Sequence, residues 1–396
     1  MTVASDRKDL RINNQILILE TIQKNGRMSR AEVSKAIHLS APSVSTNVDK
    51  LLELGLLREV GEGKSATGRK PIMLEIVEDY RIVAAIDLSS DPVIVALSDL
   101  HGNLIDHCLV MVNEDEITQD TFQAVIYALH TLLNRHRVTL DKLYRIGIAA
   151  PGVIDEETGF YINAPRISNY RNVNLYQMFS KEFNTEVVVR NDTNLAALGE
   201  WHNGGLDDSR NLIYILADSG IGAGLMLNNQ LYRGSHGTAG DIGYLLAAFA
   251  GGDDQWFDSI GSGYAILKAV TKELRERDPE ILKDFRISEG RHLDFIQLKK
   301  ILGSGNEICK EVLQRALAVW GKVLTNICVL LDLDTVVLGG RLAYLENDFL
   351  NPLNAFVNTN VPFRVKIVAS KLDGNAALMG AISTILEDVF SNLVSD

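Results

Sequence analysis

Four polar side chains recur along one predicted helix: Ser43, Thr46, Asn47 and Lys50. All of them are short or hydrogen-bonding groups, which suit base edges and phosphates in a DNA major groove. The chemistry that this set favours is therefore recognition of double-stranded DNA. With neighbouring cations and hydroxyls included, the candidate DNA contacts are Arg30, Ser43, Ser45, Thr46, Asn47, Lys50, Lys64, Arg69 and Lys70.

Two short helices joined by a turn must position these groups. Ser29 can cap a helix over 30–37, and Ser40 can cap a second helix that has Pro42 in its first turn. The apolar residues of the second helix recur at i, i+4, i+7 and i+8, as Val44, Val48, Leu51 and Leu52. The pattern predicts a helix-turn-helix with one face left for a partner; a helical hairpin in an unrelated domain is the alternative.

A β-hairpin is expected after the second helix. One strand begins near Leu56, and a second strand over 72–76 returns the chain. The tip of this hairpin then carries Lys64, Arg69 and Lys70, where they can touch phosphate or the minor groove. The whole segment is therefore predicted to be a winged helix-turn-helix.

Charge is unevenly distributed along the chain. Residues 1–75 carry 12 Lys and Arg against 9 Asp and Glu, while the remainder carries 27 against 42. The formal net charge of the whole chain is −12, so indiscriminate binding to nucleic acid is not expected. Only the basic N-terminal end is suited to DNA, and its binding should be sensitive to salt.

Length and composition point to a large intracellular protein. With 396 residues and 46% hydrophobic content, the chain can bury large cores in two or three domains. No apolar run approaches the roughly 20 residues that span a bilayer, and no signal peptide precedes the first helix, so we expect a cytoplasmic protein without a membrane partner. Cys108, Cys309 and Cys328 are far apart, so neither a disulfide framework nor a cysteine zinc site follows.

Beyond residue 79, strands and helices alternate, which indicates an α/β fold. Predicted strands lie over 81–88, 93–97, 104–112, 144–149, 186–189, 211–216, 224–227, 230–233, 335–340 and 364–369, and the clearest helices over 121–135 and 375–389. Residues 219–224 (SGIGAG) would present backbone N–H groups at a strand turn, a geometry that can hold phosphate. Glycine turns also join strands without any ligand, and the residues alone leave both interpretations open.

Five ordered motifs follow the winged helix-turn-helix: NAP at 163–165, NDTNLAALGE at 191–200, SGIGAG at 219–224, YRGSHGTAGDIG at 232–243 and VLGG at 337–340. Together they resemble the ROK (repressor, open reading frame, kinase) family, in its transcriptional-regulator branch, over nearly the whole chain. The resemblance implies two lobes of the actin-like sugar-kinase fold with a sugar in the cleft between them. It implies domains at 1–78, 79–195 and 196–374, a helix over 375–391 that packs back on the first lobe, and dimerisation through the second.

The resemblance also indicates a ligand site. Asp192 matches the catalytic base of the family's kinases; helix capping, sugar binding without chemistry and catalysis are its three possible roles, and sugar binding is favoured. Asp241 and Asp258 stand where the family usually has Glu, and each could instead be a solvated surface residue. The ligand-binding candidates are Gly152, Arg166, Asn191, Asp192, Asp241, Tyr244 and Asp258.

Two of these candidates carry open alternatives. Tyr244 could stack on a sugar ring or pack against the protein. Arg166 could favour a carboxylate or phosphate on the ligand if it pointed into the cleft, although an arginine in such a loop is more often solvated.

The motifs depart from the family pattern where kinases bind nucleotide and zinc. Residues 87–92 (DLSSDP) replace an Asp-Gly-Gly-Thr turn, and Asp218 replaces a glycine, which would place a negative charge against a phosphate. The segment 245–257 has neither cysteine nor histidine, whereas a zinc site needs about four N or S ligands. We therefore expect no catalytic residue, cofactor or metal.

These features favour a sugar-responsive transcriptional regulator, most simply a repressor of carbohydrate catabolism genes. Its expected partners are a palindromic operator, a sugar or sugar derivative, and further copies of itself, as a homodimer or a dimer of dimers. An active sugar kinase with a DNA-binding head and a regulator that responds to another protein are the alternatives.

Overall fold

The computed structural model describes residues 3–62, 70–112, 117–164, 167–206, 209–249, 252–372 and 374–395, with side chains from residue 9 onward. Along the described chain, a small N-terminal head is followed by two lobes, each built on one five-stranded sheet. The fold class predicted from the sequence, a winged helix-turn-helix joined to a two-lobed α/β domain, is confirmed.

The head consists of three helices and a three-stranded sheet of order β1-β3-β2. The Ser29 side chain accepts a hydrogen bond from the Glu32 amide, and Ser40 accepts one from the Ser43 amide, so both predicted caps start their helices. The elements of the head are α1 (Val3–Asn25), β1 (Met28–Ser29), α2 (Arg30–Ile37), α3 (Ala41–Glu53), β2 (Leu57–Glu62) and β3 (Ile72–Ile76).

Helix α1 has no clear signal in the sequence. Leu10 and Leu17 are exposed, while Ile18, Leu19 and Ile22 are buried, so the apolar residues do not form a single stripe along its length. The helix is held by tertiary packing against α3 and the C-terminal end of the chain.

The first lobe has a sheet of order β10-β7-β4-β5-β6, in which β4, β7 and β10 are parallel. Helices α4 and α5 cover one face and enclose a core of Val, Leu, Ile and Phe side chains. The elements of this lobe are β4 (Ile82–Asp87), β5 (Val93–Ser98), β6 (Leu104–Val110), α4 (Gln119–Arg135), β7 (Leu143–Ala150), β8 (Val153–Ile154), β9 (Tyr161–Asn163), α5 (Leu175–Phe183), β10 (Glu186–Asn191) and α6 (Asp192–Asn203).

The second lobe repeats this strand order, as β13-β12-β11-β16-β17. Its large core packs around the buried indole of Trp320. The elements are β11 (Leu212–Ala217), β12 (Ile221–Leu227), β13 (Gln230–Tyr232), β14 (Leu246–Ala247), β15 (Gln255–Trp256), α7 (Phe257–Gly261), α8 (Gly263–Arg277), α9 (Pro279–Asp284), α10 (Phe295–Gly303), α11 (Glu307–Leu331), β16 (Thr335–Gly339), α12 (Asn351–Asn360) and β17 (Lys366–Ala369).

Single-turn helical segments occupy Leu140–Lys142, Tyr170–Asn172, Ile242–Tyr244, Arg341–Tyr344 and Glu346–Leu350. The last predicted helix, over 375–389, is divided in the structure into α13 (Ala376–Leu386) and α14 (Val389–Ser395).

Helices α6 and α13 lie between the two sheets. Alanines of the first sheet, side chains of the second sheet and residues of both helices share one buried cluster. A Cβ on Gly380 would lie 1.8 Å from the Leu195 carbonyl oxygen, and one on Gly199 would lie 2.1 Å from that of Ala376. Glycine at these two positions therefore permits the close contact of the two helices. The predicted domain division at 195/196 stays a prediction, and α6 runs through that position.

Helix α14 continues from α13 to the head. Val389, Phe390 and Leu393 of α14 are buried in the same cluster as Ile18 and Leu19 of α1. A hydrogen bond from the Gln23 side chain to the Leu100 carbonyl, 2.9 Å long, adds a second attachment of head to lobe.

One segment of the described chain, Ala376–Ser395, is long and apolar enough to cross a membrane, contrary to the expectation that no such run exists. Half of its most apolar stretch is buried inside the structure, between the sheets and against the head. Its apolar character is accounted for by core packing, since a core helix passes the same test.

Candidate functional site

Three separate stretches of sequence meet at one edge of the first sheet. Because β4, β7 and β10 are parallel, their carboxyl ends bring Asp87, Gly152 and Asn191 to the same edge. The Asn191 amide donates a hydrogen bond of 3.0 Å to the Gly152 carbonyl. Gly152 has a φ of +89°, and a Cβ there would lie 2.4 Å from the Asn163 carbonyl oxygen, so only glycine fits.

Asp192 is the first residue of α6 and is 8% exposed. One carboxylate oxygen accepts hydrogen bonds from the Asn191 side chain, at 3.0 Å, and from the Thr193 amide, at 2.9 Å. Burial, together with the negative charge of Asp87, raises the pKa of Asp192 to about 7. The helix cap is supplied by the Asn191 side chain, which accepts from the Asn194 amide, so Asp192 is not needed for that role.

Two more polar groups at this end of the first lobe have no hydrogen-bond partner among the described residues: the Tyr161 hydroxyl and the Asn194 side-chain carbonyl. Both side chains are buried. Sequence reasoning missed them, because Tyr161 is one of many aromatic residues on short strands and nothing in its spacing marks it. Asn194 lies inside the NDTN motif but was not singled out.

The first hairpin turn, between β4 and β5, is closed by its own side chains. The Asp87 carboxylate accepts from the Ser89 amide and hydroxyl, at 2.9 and 2.6 Å, and from the Ser90 amide, at 3.2 Å. Successive backbone N–H groups at a turn can bind an anion, and here two of them already donate to the Asp87 carboxylate.

The corresponding turn of the second lobe is filled in a different way. Asp218, at the end of β11, forms an ion pair with Arg341, which follows β16; the nitrogen–oxygen distance is 2.7 Å. The negative charge predicted to face a phosphate is therefore neutralised within the protein. The turn after β11 therefore carries a carboxylate that is paired within the protein.

Two of the three glycines of 219–224, Gly222 and Gly224, have a packing role. Residues 221–224 are part of strand β12, not of a loop as predicted. A Cβ on Gly224 would lie 2.3 Å from the Thr193 carbonyl oxygen, and one on Gly222 would lie 3.0 Å from the Thr193 methyl carbon. These two glycines let the N-terminal turn of α6 approach the second sheet, and this answers the question that the sequence left open for them.

The other acidic candidates belong to the second lobe. Asp258 accepts a hydrogen bond of 2.6 Å from the Ile221 amide, and Asp241 lies at a chain turn where no described group donates to its carboxylate. Both are half-buried, and burial raises both pKa values. Ile221 is the first residue of β12, and the Gly240 carbonyl accepts from the Ala223 amide of the same strand. Because Gly222 and Gly224 of β12 approach Thr193, this part of the second lobe packs against the start of α6.

Tyr244 is 53% exposed and packs edge-on against the Trp256 ring, with ring centroids 4.6 Å apart. It is thus available for stacking, with Trp256 as a second aromatic surface. Arg166 lies outside the described residues, so its predicted preference for an acidic ligand stays a prediction.

Glu156 links the two lobes. Its carboxylate forms ion pairs with Arg190 of β10, at 3.2 Å, and with Arg233 after β13, at 2.9 Å. A change in the relative position of the lobes would break one of these contacts.

In the head, several candidate DNA contacts are already engaged. Arg30 forms ion pairs with Asp49 and Glu59, and its guanidinium also donates to the Ser45 carbonyl. Lys50 pairs with Glu53, and Lys70 with Glu62. All these ion pairs are partly exposed and weak, so phosphate can displace the acids.

Asn47 corrects the sequence-based expectation. It is only 5% exposed, and its amide donates to the Ser43 carbonyl at 2.9 Å, so it lies on the packed side of α3 and not on the face left for DNA. The apolar periodicity of α3 had predicted Asn47 on the exposed face of the helix. Thr46 is exposed, with its hydroxyl bonded to the Pro42 carbonyl, and Ser43 is partly exposed. Lys64 and Arg69 lie outside the described residues.

Comparison with known proteins now gives the family. Residues 83–388 match the ROK family, and residues 13–58 match a winged helix-turn-helix DNA-binding domain. The chain belongs to the ROK family. It is 30% identical to the xylose repressor of Bacillus spizizenii, over 94% of this chain and 95% of that protein, and 27% identical to the xylose repressor of Caldicellulosiruptor bescii, over 96% of each.

Among solved structures, a ROK family transcriptional regulator described as a homologue of the Escherichia coli MLC protein has the same fold. The TM-score is 0.78 at 21% identity, and the match covers 98% of each chain. The winged head and both lobes are therefore shared with a ROK regulator over their full extent.

No cluster of three or more His, Cys, Asp or Glu side chains that could hold a metal is found in the described part of this ROK chain. His236 is exposed in its loop, and burial raises the pKa values of Cys309 and Cys328 to about 11, which keeps both thiols protonated. These cysteines act as core residues.

Two surface cavities of about 740 and 500 Å³ lie on the second lobe, along α12 with β17 and between α8 and α11. None of the ligand candidates lines either of them. Asp192, at the start of α6, is instead only 8% exposed in this conformation.

Proposed function

We propose that this protein is a sugar-responsive transcriptional repressor that binds operator DNA through its head and a sugar between its lobes. The observation that carries the proposal is the combination, in one ROK chain, of a winged helix-turn-helix with a desolvated Asp192 beside unpartnered polar groups. Such groups lose free energy by burial unless a ligand pairs with them.

The effector that fits is a neutral sugar. Asp192, Asp241 and Asp258 all have raised pKa values, and none of them forms an ion pair with a described cation. A carboxylate acceptor binds sugar hydroxyls strongly, whereas a second anion would be repelled. Since two similar relatives are xylose repressors, D-xylose is the first effector to test. The proposed ligand residues are Gly152, Arg166, Asn191, Asp192, Asp241, Tyr244 and Asp258.

The signal has a continuous physical route to the head. Asp192 begins α6, α6 is joined through Gly199 and Gly380 to α13, and α14 enters the core of the head. A sugar that favours one relative position of the lobes can therefore shift the head, to the extent of its differential affinity for the two states.

We further propose that the protein acts as a cytoplasmic homodimer on a palindromic operator. A change in lobe position would alter the spacing of the two heads, so that each misses its half-site. The proposed DNA contacts are the partly exposed or exposed groups Arg30, Ser43, Ser45, Thr46, Lys50 and Lys70.

A sugar kinase is not the function that the geometry favours. Both turns that would have to cradle phosphate contain internal carboxylates, Asp87 and Asp218, that are already bonded within the chain. The similar relatives are repressors, which supports a regulator.

The test is a titration of the full chain on DNA taken from upstream of its own gene, followed by fluorescence anisotropy. We expect tight, salt-sensitive binding that D-xylose reverses, and no ADP release in a coupled assay with the same sugar and Mg-ATP. Sugar-dependent ADP release, or operator binding indifferent to a panel of neutral pentoses and hexoses, would contradict the proposal.

A further inference from the structure

A buried tyrosine near Asp192 has a hydroxyl without a partner. Tyr161 lies on β9, pairs with Ile154 of β8 and is 4% exposed. Its ring packs in the core of the first lobe, while its hydroxyl oxygen makes no hydrogen bond within the described chain.

Such a hydroxyl is unfavourable for the fold alone. Buried tyrosine hydroxyls are nearly always hydrogen-bonded, since burial removes them from water. A phenylalanine would fill the same place in the core at no such cost. The Tyr161 hydroxyl is therefore a buried polar atom whose partner is not among the described residues.

The position of the hairpin relates this hydroxyl to the cleft. Strand β8 directly follows Gly152, and the Gly152 carbonyl accepts from Asn191, whose side chain also donates to Asp192. The charge of Asp192 adds to burial in raising the pKa of Tyr161, so that the phenol stays protonated. The neutral phenol of Tyr161 thus lies near the Asp192 carboxylate, at the N-terminal end of α6.

We propose that the Tyr161 hydroxyl is a hydrogen-bonding contact for the sugar effector, beside Asp192, and that it helps to set which hydroxyl pattern the cleft accepts. This inference rests on the proposed function. Asp192 only accepts hydrogen bonds when ionised, whereas a phenol both donates and accepts. A sugar ring that reaches both groups can therefore pair one hydroxyl with each of them, and a sugar that lacks one of these hydroxyls leaves a buried group unpaired.

The decisive variant is Tyr161→Phe, because it removes one oxygen and keeps the ring. Its matched control is Tyr144→Phe, since the Tyr144 hydroxyl accepts a hydrogen bond of 2.9 Å from Asn392, on α14. Both variants are compared with the wild type in two measurements: release of operator DNA by D-xylose, followed by anisotropy, and thermal unfolding without sugar.

For Tyr161→Phe, the D-xylose concentration that gives half-release should rise about tenfold, while the unfolding temperature without sugar stays at or above that of the wild type. Tyr144→Phe should show the opposite pattern, with a lower unfolding temperature and an unchanged half-release concentration. Opposite effects on stability and on sugar response distinguish a ligand contact from a structural hydrogen bond.

An unchanged half-release concentration in Tyr161→Phe overturns this inference and leaves the proposed function intact. An unfolding temperature lowered as far as in Tyr144→Phe also overturns it, because the hydroxyl would then support the fold. A wild-type protein that D-xylose does not release from DNA contradicts the proposed effector, and the inference fails with it.

Discussion

The turns after β4 and β11 occupy equivalent places in two sheets of the same strand order, and they differ sharply from the nearby end of α6. In both turns an aspartate, Asp87 or Asp218, is bonded to groups of its own lobe. At the end of α6, by contrast, Asp192 is desolvated, and Tyr161 and Asn194 have buried polar atoms without a described partner. The carboxylates at the two turns are thus bonded within their own lobes, whereas buried polar atoms without a described partner lie near the start of α6.

Among the variants that test this contrast, Asp192→Ala should change the sugar response most. Loss of a charge-assisted hydrogen bond should raise the half-release concentration of the sugar roughly 100-fold, or abolish release. Operator affinity without sugar should remain that of the wild type, as measured by anisotropy. Loss of operator binding in this variant would mean that Asp192 supports the fold of the head instead.

A titration of sugar response against pH should give the next largest effect. With a pKa of about 7, Asp192 is ionised above pH 7 and protonated below it. The half-release concentration should therefore rise about tenfold for each pH unit below 7, because only the carboxylate accepts two hydrogen bonds strongly. A response that is flat between pH 6 and 8 would exclude Asp192 as the sugar acceptor.

The stability of the fold should also depend on pH through Asp192, and the direction follows from its raised pKa. The folded pKa of Asp192 is raised from 3.8 to about 7, so its contribution to stability is greatest below pH 3.8 and is lost as the pH rises to 7. Each pKa unit of this rise corresponds to about 1.4 kcal/mol of lost stability. Asp192→Asn should recover part of that total and stabilise the protein at pH 8 by roughly 1 to 2 kcal/mol.

The difference between Asp192→Asn and wild type should become smaller at pH 5, in denaturant unfolding. A variant that is less stable than the wild type at both pH values would show that burying the ionised Asp192 carboxylate does not destabilise the protein.

Arg341→Ala, which removes the partner of Asp218 at the turn after β11, should have the smallest effect on stability and on sugar response. The ion pair with Asp218 is partly exposed, so its loss should cost about 0 to 1 kcal/mol. Sugar response should change less than twofold in anisotropy. A loss of response comparable to that of Asp192→Ala would remove the distinction between the two regions.

The sequence predicted much of this molecule because its signals are local. Capping serines, a proline in the first turn and an apolar stripe define α2 and α3, and the strand pattern located most of the strands that form the two five-stranded sheets. Helix α1 has no comparable signal, because its buried residues are selected by contacts with α3 and α14. Asn47 was placed in solvent because periodicity alone cannot tell which edge of a helix tertiary packing covers.

The site was predictable only in part for a similar reason. The motif at 191–200 located Asn191 and Asp192, the resemblance indicated Gly152, and the fold brings the three together. The pairing of Asp218 with Arg341 joins residues 123 positions apart, and the missing partner of Tyr161 is a property of the folded core. Neither has a signature in the sequence. The packing role of Gly222 and Gly224 also required the position of Thr193.

The most direct test is calorimetric titration of the full chain, first with D-xylose and then with a non-hydrolysable Mg-ATP analogue, at pH 8. The account predicts saturable binding of the sugar, lost in Asp192→Ala, and no binding heat for the nucleotide with or without sugar. Nucleotide binding as tight as that of the sugar, unaffected by Asp192→Ala, would contradict it.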